Sequence, residues 1–389
     1  MDSHDWLDTE CAALEQAGLR RHLRTVMSAP TGTIHLDGRE VVLLGSNNYL
    51  GLSTHPQVIA AAVEATQIFG TGASGSRLIS GNSKLYTTLE TNLAKTKHTE
   101  AALVFSSGYA ANTSIIPVLA DEGDLILSDA LNHASIIDGC RLSRATKKVY
   151  RHCDMEHLKT LLSESTAFRR RLIVTDGVFS MDGDIAPLRD IYEVATHYNA
   201  MLLVDDAHGF GVLGKDGSGT VTHFGLEGTD IIQMGTLSKA VGALGGYIAG
   251  SRSLIELLIN KARGFIFTTG LPPAILAAAN AALDVMCSSP ELRQRLSSHA
   301  RCLKTALTNL GYTLLPSETQ ILPVVLGNPQ QATSVADALL AEGVFAPAIR
   351  PPAVPPNTSR LRLTVMATHT EAEIQQAIAG FATVFPKTR

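Results

Sequence analysis

The chain has 389 residues, of which 45% are hydrophobic and 17% charged, and its formal net charge is −4. This composition excludes a disordered chain, and the near-neutral charge gives no basic surface for nucleic acid. The first ten residues lack a signal-peptide pattern, and no 18-residue apolar stretch predicts a membrane span. Five scattered cysteines without CxxC spacing are typical of reduced thiols. We therefore expect a cytoplasmic protein without nucleic-acid or membrane partners.

The N-terminal segment, residues 1–45, is predicted to hold one helix and one hairpin. Residues 5–25 carry an approximate apolar stripe that predicts a helix. Residues 33–44 predict a β-hairpin, because Asp37-Gly38 is a dipeptide typical of tight hairpin turns.

Residues 46–272 are predicted to form a large domain with a mainly parallel sheet. Short apolar runs alternate with longer helical patterns, as in crossover units. The runs lack polar alternation, as strands covered on both faces do. The strand candidates are 101–105, 125–127, 172–175, 201–204, 231–234 and 247–249.

Residues 273–389 are predicted to form linking helices and a smaller C-terminal α/β domain. The character of the chain changes after Leu271-Pro272-Pro273. The helix candidates are 273–287, 290–310, 331–342 and 370–384. The strand candidates are 321–326, 344–348 and 361–365.

A lysine and a carboxylate that follow two strand candidates predict a site for pyridoxal phosphate (PLP). Lys239 comes shortly after 231–234, and Asp205 ends the run 201–204. The lysine can hold the PLP aldehyde covalently, and the carboxylate can keep the pyridine nitrogen protonated, which makes the ring an electron sink. Each residue alone is an ordinary loop or cap residue. The prediction that residues 46–272 form a PLP-binding domain therefore depends on the order and common placement of these residues.

Other polar residues also follow strand candidates. Ser106 to Tyr109 come after 101–105 and open a helical stretch, where free N–H groups suit a phosphate. Ser180, His208 and Thr236 lie near the ends of later runs. Because ligands collect beyond the carboxyl ends of parallel strands, we expect these residues to converge.

Two nucleotide-binding motifs compete with this interpretation. Gly70 to Gly75 fits GxGxxG, but the residues before it predict a helix where the dinucleotide fingerprint needs a strand, so we predict a loop. Residues 209–215 fit GxxxxGK, but Asp216 stands where a P-loop needs Ser or Thr. A carboxylate there would repel phosphate, which argues against an NTPase.

The histidines do not predict a metal site. His152 and His157 are five residues apart, which suits neither helical metal spacing nor a zinc pattern. We predict that both are surface residues and that the protein has no metal centre.

Six short motifs run through the chain: Ser46–Leu52, Gly72–Arg77, Asn132–Ser135, Gly177–Asp184, Asp205–Gly209 and Thr236–Lys239. With these motifs the chain, from about Gly18 to its end, resembles the α-oxoamine synthases. These are fold-type I PLP-dependent transferases that join an amino acid to an acyl thioester with loss of CO₂. The resemblance implies a large, mainly parallel-sheet domain and a smaller C-terminal α/β domain.

The resemblance also implies catalytic roles. Lys239 would hold PLP and move protons at the substrate Cα, and Asp205 would pair with the pyridine nitrogen. His208 and Ser180 would hydrogen-bond the phenolic oxygen of the cofactor. His133 would stack on the ring and could polarise the incoming thioester carbonyl.

Gly108, Tyr109 and Thr236 are implied to hold the cofactor, chiefly around its phosphate. Arg362 matches the arginine that binds the amino-acid carboxylate, and Arg21 matches one near the acyl substrate.

Asn47, in the first motif, is a further implied substrate-binding residue. The family's site lies at a dimer interface, which implies a homodimer in which Thr268 and Thr269 come from the partner chain.

The stretch Ile349–Pro355 points to one branch of the family. Its Arg350-Pro351-Pro352 is more typical of the branch that joins L-alanine to a pimeloyl thioester, carried by CoA or by acyl carrier protein. Ala353 stands where that branch usually carries Thr, and it is the implied acyl-contacting residue. The alternatives are a glycine C-acetyltransferase, a serine palmitoyltransferase-like enzyme and a non-catalytic PLP-binding protein.

Overall fold

The computed structural model describes residues 4–384, which pack into two compact units. The central unit comprises Asn48–Ser180 and Asp184–Arg293. The terminal unit comprises the described residues before Asn48 and after Arg293, together with Met181–Gly183. The domain boundaries predicted from the sequence remain a prediction. They divide the chain into 1–45, 46–272 and 273–389.

The elements are numbered in chain order. Within residues 4–384 the helices are α1 Asp5–Gln16, α2 Pro56–Phe69, α3 Lys84–Thr96, α4 Gly108–Leu119, α5 Ala134–Leu142, α6 Met155–Ser163, α7 Leu188–His197, α8 Thr220–His223, α9 Arg252–Lys261, α10 Arg263–Ile266, α11 Pro273–Ser288, α12 Pro290–Asn309, α13 Pro329–Ala341 and α14 Glu371–Val384. The strands are β1 Thr33–Leu36, β2 Arg39–Leu43, β3 Ala101–Phe105, β4 Leu125–Asp129, β5 Thr146–Tyr150, β6 Arg171–Asp176, β7 Met201–Asp205, β8 Ile232–Thr236, β9 Gly246–Gly250, β10 Ile321–Gly327, β11 Val344–Phe345, β12 Ala348–Ile349 and β13 Ser359–Thr364.

The central unit is built on a seven-stranded sheet of order β3-β9-β8-β7-β6-β4-β5. Strands β5, β4, β6, β7 and β8 pair in parallel, and β9 is antiparallel to both of its neighbours. Alternate residues of β6 belong to two separate apolar cores. Leu172 and Val174 are part of one core, and Ile173 is part of the other. This arrangement confirms the predicted α/β fold class with a mainly parallel sheet.

The edge strand β5 was not predicted, because its sequence carries no apolar run. Of Thr146, Lys147, Lys148, Val149 and Tyr150, only Tyr150 is buried. Polar and charged side chains are typical of edge strands, which face solvent along one side.

The terminal unit contains two small sheets. The predicted hairpin is confirmed: β1 and β2 are antiparallel, and Asp37 and Gly38 between them adopt φ of 49° and 83°. Strand β11 adds in parallel to β2, while β10, β13 and β12 form a separate antiparallel sheet.

Two predictions in the terminal unit were wrong. The predicted helix 5–25 ends at Gln16, because Gly18 turns to φ 65° and the Leu19 N–H bonds the Leu14 carbonyl. The predicted strand 344–348 is divided between the two sheets as β11 and β12, with Pro347 in the gap. Proline lacks the N–H that a continuous strand requires.

No helix among the described residues combines the length and the apolar character needed to cross a membrane.

A buried ion pair anchors the turn that follows β7. The Lys97 ammonium lies 2.6 Å from the Asp206 carboxylate, and both side chains are wholly buried. Asp206 also accepts the Thr220 backbone N–H at 3.0 Å, and the Lys97 ammonium donates to the Ser218 carbonyl. The pair therefore fixes the position of the chain immediately after Asp205.

Replacing Lys97 by Met should lower the free energy of unfolding by about 3–5 kcal/mol, because Asp206 would keep a buried charge without its counter-ion. The double change Lys97→Met with Asp206→Asn removes both charges and should recover much of the loss. Urea-induced unfolding measures both. The control is Lys95→Met, two residues earlier in the last turn of α3, an exposed site where the change should stay within about 0.5 kcal/mol. A double variant less stable than Lys97→Met alone would contradict the role of the pair.

Candidate active site

One cavity of about 220 Å³ opens at the carboxyl ends of β6, β7 and β8 and at the start of α4. Seven of the predicted site residues line it, namely Gly108, Tyr109, His133, Asp205, His208, Thr236 and Lys239. The convergence expected from the strand order is therefore present for these residues, whereas Ser180 is not among the residues that line the cavity.

Lys239 belongs to a hydrogen-bonded chain of three side chains. Its Nζ lies 2.8 Å from His208 Nε2, and His208 Nδ1 lies 2.7 Å from the hydroxyl of Tyr49. Tyr49 is wholly buried and lies in the first sequence motif, although sequence reasoning gave it no role. His208 can thus exchange a proton with the lysine while the buried phenol fixes its ring.

Asp205 is held by neighbours that fix both of its carboxylate oxygens. Oδ1 accepts the Ala207 backbone N–H at 3.0 Å, and Oδ2 accepts the Asn112 side-chain N–H at 2.7 Å. The same amide nitrogen of Asn112 donates to Ser135 Oγ at 2.9 Å. Asn112 is a site residue that sequence reasoning missed, because an asparagine inside α4 gives no signal of the strand end it contacts.

His133 is the residue immediately before α5, and it lies next to a buried carboxyl group. Its backbone N–H donates to Asp176 Oδ2 at 2.7 Å, and its Nδ1 accepts the Ser135 N–H at 3.2 Å. Burial, with a smaller effect of Asp205, raises the pKa of Asp176 well above its ordinary value. Burial and the nearby Lys239 charge lower the pKa of His133, against the opposing effect of Asp205. The imidazole facing the cavity is therefore favoured in its neutral form.

The start of α4 forms one end of the cavity. Ser107 caps the helix, its Oγ accepting the Ala110 N–H at 3.0 Å. A Cβ on Gly108 would lie 3.1 Å from the Met234 side chain, so a larger residue would require that side chain to shift. Thr236 Oγ1 accepts the Ser238 N–H at 3.2 Å across from this helix end. Free N–H groups at a helix start are suited to a phosphate.

Three predicted residues of the central unit lie outside this lining. Ser180 lies in the loop after β6 and is not among the described residues that border the cavity. Thr268 is half-buried, and Thr269 is exposed and pairs with Ser76 through an isolated bridge.

The remaining predicted residues lie in the terminal unit. Arg362 is buried on β13, and its Nη1 donates to Asn47 Oδ1 at 3.3 Å. Arg21 is exposed in the segment after α1. Ala353 lies in an exposed turn, where its N–H donates to the Arg350 carbonyl at 3.1 Å. Their roles in substrate binding stay predictions.

One group of potential metal ligands occurs among the described residues: Asp129, His152 and Cys153 have ligand atoms within 4.8 Å of one another. His152, predicted to be a surface residue, is instead only 27% exposed. Its two ring nitrogens lie 2.9 Å from Asp129 and 2.8 Å from Asp184. These hydrogen bonds engage both ring nitrogens of His152 with carboxylates.

The aminotransferase class I and II family matches residues 39–381. The chain belongs to this family. Its match spans the whole central sheet and most of the terminal unit, including both Lys239 and Arg362.

Curated relatives and solved structures agree with the family. The chain is 52% identical to the 8-amino-7-oxononanoate synthase of Geobacter sulfurreducens over 96% of both chains. It is 48% identical to 8-amino-7-oxononanoate synthase 2 of Bacillus subtilis, covering 99% of this chain and 98% of the relative. Serine palmitoyltransferase from S. paucimobilis, solved with PLP and myriocin bound, matches 99% of this chain and 98% of its own with a TM-score of 0.94 and 35% identity. These likenesses confirm the fold-type I transferase fold.

The lowered pKa of His133 predicts a pH-dependent stability. Because the unfolded chain binds a proton at His133 more readily than the folded chain does, stability should fall as the pH drops below about 6.5. His133→Asn removes this group but keeps a good helix cap, so its unfolding temperature should decline less steeply over that range. Thermal unfolding of the cofactor-free protein at a series of pH values measures the difference. His157→Asn, outside the cavity, is the control, and identical slopes for wild type and His133→Asn would disprove the prediction.

Proposed function

We propose that the protein catalyses the PLP-dependent condensation of L-alanine with a pimeloyl thioester, giving 8-amino-7-oxononanoate, CO₂ and the free thiol carrier. This is the acyl-transfer step of biotin biosynthesis. The observation that carries the proposal is the 52% identity, over 96% of both chains, to an 8-amino-7-oxononanoate synthase. The thiol carrier is CoA or acyl carrier protein.

The cavity offers chemically suitable neighbours for the aldehyde, the pyridine nitrogen and the phosphate of PLP. Lys239 supplies an amine for the aldehyde, Asp205 a carboxylate for the pyridine nitrogen, and the start of α4 supplies N–H groups for the phosphate. Bound PLP supplies an electron sink for the carbanion formed at the amino-acid Cα.

Lys239 and His208 provide the proton transfers. The Lys239 amine can take the proton from the Cα of alanine and later return a proton to the product carbon. His208, 2.8 Å from the lysine nitrogen, can accept or supply the proton that keeps this amine in the required form. Asp205 would supply the carboxylate for the pyridine nitrogen, and because its hydrogen bonds already fix it, it requires no reorganisation.

Other residues bind and orient the substrates. The neutral His133 can stack on the cofactor ring and donate an N–H to the thioester carbonyl. Arg362, already oriented by Asn47, provides a guanidinium for the alanine carboxylate. Arg21 and Ala353 are proposed to contact the acyl chain. Ser180 is proposed to contact the phenolic oxygen of the cofactor, and Tyr109 is proposed to contact its phosphate.

A serine palmitoyltransferase activity is the second candidate, because the solved structures of that enzyme match this chain with TM-scores of up to 0.94. Sequence identity to them is 35–36%, against 52% for the first candidate. Their common fold supports the shared cofactor chemistry, while the higher identity supports alanine and a pimeloyl thioester.

We further propose a homodimer. Helix α2 exposes Ile59, Val63, Ile68 and Phe69, which are large apolar side chains on a surface helix. Apolar patches of this kind mark contact surfaces. Phe267, 71% exposed and next to Thr268 and Thr269, supports their contribution to a partner chain. The free thiols of all five cysteines support the proposed cytoplasmic location.

Lys239→Ala should abolish the covalent attachment of PLP, since no other amine would occupy that position in the cavity. Borohydride treatment followed by mass spectrometry of peptides detects the attachment in the wild type. Lys261→Ala, at the exposed end of α9, should leave it intact. Reductive attachment to another lysine in Lys239→Ala at the wild-type level would contradict the assignment.

Asp205→Asn should reduce kcat by a factor on the order of 10²–10³, because a neutral amide no longer stabilises the protonated pyridine nitrogen. PLP occupancy, measured by absorbance, should fall much less. Asp190→Asn, on the exposed face of α7, is the matched control and should leave kcat unchanged. Near-normal turnover in Asp205→Asn would refute the electron-sink role of this carboxylate.

A panel of substrates tests which branch of the family the protein belongs to. Initial rates with alanine, glycine and serine, each against pimeloyl, acetyl, succinyl and palmitoyl thioesters, should be highest for alanine with pimeloyl thioester. Ala353→Thr adds a hydroxyl and a methyl group, and a hydrogen bond from the hydroxyl is worth about 0.5–1.5 kcal/mol, so the change should alter KM by roughly tenfold at most and keep this ranking. A preference for serine with palmitoyl thioester, or for glycine with acetyl or succinyl thioester, would place the chain in another branch.

A further inference from the structure

His152 bridges two carboxylates with its two ring nitrogens. Nδ1 lies 2.9 Å from Asp129 Oδ1, and Nε2 lies 2.8 Å from Asp184 Oδ2. An ionised carboxylate only accepts hydrogen bonds, so both ring nitrogens must donate. The ring is therefore a cation, shared between two acidic side chains.

Asp129 shapes the loop that leads to the cavity. It ends β4, and besides His152 its carboxylate accepts the backbone N–H of Leu131 at 2.8 Å and that of Cys153 at 2.9 Å. The loop of residues 129–133 ends at His133. An Asp129 side chain fixed by three donors fixes the start of this loop.

The other end of the same loop is tied to β6. The Asn132 side chain donates to the Val174 carbonyl at 2.8 Å and accepts the Asp176 N–H at 2.9 Å. The next residue, His133, donates its own N–H to the Asp176 side chain. His133 is thus located by contacts that begin at Asp129 and end on β6.

Asp184 belongs to the loop that follows β6. Its backbone carbonyl accepts the Phe179 N–H at 3.0 Å, which closes the loop around Ser180. The buried Phe179 ring meets the His152 ring edge-on, with centroids 4.5 Å apart. His152 therefore contacts both the loop that carries His133 and the loop that carries Ser180.

The ring remains charged throughout the neutral pH range. Burial lowers the pKa of His152, but the hydrogen bonds to Asp129 and Asp184 raise it to about 12. A histidine in this setting does not act as a proton donor or acceptor near neutrality, so a positional role suits it better than a catalytic one.

We propose that His152 is a positioning residue, whose doubly hydrogen-bonded ring holds the loop of residues 129–133 against the loop of residues 177–185 and so keeps His133 in place over the cofactor. The inference deepens the proposed function and rests on PLP being the ligand of the cavity.

The test compares His152→Gln with the matched control His157→Gln, five residues along the chain. Gln can donate to only one of the two carboxylates and presents an oxygen to the other. By analogy with other residues that orient a binding group, we expect the dissociation constant of PLP to rise by roughly tenfold. It is measured by absorbance titration of the cofactor-free protein. His157→Gln should bind PLP as the wild type does, and an unchanged dissociation constant in His152→Gln would overturn the proposal.

A double-mutant cycle separates positioning from a general loss of structure. If His152 acts through His133, His152→Gln should weaken PLP binding in the wild type but add little in a His133→Asn background. An equal loss in both backgrounds would overturn the positioning role. Asp184→Asn replaces His152→Gln in the same cycle if the latter does not fold, because it leaves the ring paired with Asp129.

Substrate turnover is not needed for this cycle. A wild-type chain that takes up no PLP would refute the proposed function itself. PLP uptake that His152→Gln leaves unchanged would refute only the positioning role. His152→Arg, which keeps a charged group with several donors, should restore part of the affinity, and an affinity as low as that of His152→Gln would argue against the two-carboxylate bridge.

Discussion

An ammonium and a carboxylate removed from water stabilise a fold only when their remaining hydrogen-bonding capacity is also satisfied. Lys97 and Asp206 meet this condition, because Asp206 also accepts the N–H and the hydroxyl of Thr220. The surrounding backbone is equally constrained: a Cβ on Gly209 would lie 2.2 Å from the Asp206 carboxylate, and one on Gly177 would lie 2.6 Å from the Thr220 hydroxyl. The turn after β7 can therefore adopt very few alternative positions.

The rigidity of this turn determines the electrostatics of the cavity. Asp205 and Asp206 are adjacent, but Asp205 borders the cavity while Asp206 faces Lys97. The Lys97 ammonium offsets the charge of the Asp206 carboxylate, so this pair adds little net charge near the cavity. Asp176, the other carboxyl group in the cavity, has a raised pKa because it is buried and close to Asp205. Asp205 is the carboxylate that we propose for the pyridine nitrogen of PLP, because it borders the cavity and Asp206 does not.

The sequence predicted those site residues that follow strands in regular order. Asp205, Thr236 and Lys239 could be placed because parallel strands end on one side of a sheet. Tyr49, Asn112 and Lys97 could not, since they contact His208, Asp205 and Asp206 across 159, 93 and 109 residues of chain respectively. Contacts over such separations depend on how helices pack on the sheet, and local patterns carry no record of that packing.

The same reasoning explains why His152 was wrongly placed on the surface. Its spacing from His157 excluded a metal motif, but its partners Asp129 and Asp184 are 23 and 32 residues away. The mainly parallel sheet, by contrast, was predictable because β4, β6, β7 and β8 are apolar runs. The position of each strand end follows from the pattern, whereas the side-chain bridges between the loops do not.

The chemistry and the choice of acyl substrate make different demands on the chain. Lys239, Asp205 and His208 lie in a cavity whose walls are fixed by buried polar contacts, where a substitution would leave a charge or a donor without its partner. Arg21 and Ala353, the proposed acyl-contacting residues, are exposed, and exposed positions tolerate substitution with little effect on stability. Under the proposed function, the acyl-contacting residues can therefore change with less effect on stability than the residues that line the cavity. A TM-score of 0.94 to serine palmitoyltransferase at 35% identity shows that the fold persists through wide sequence change.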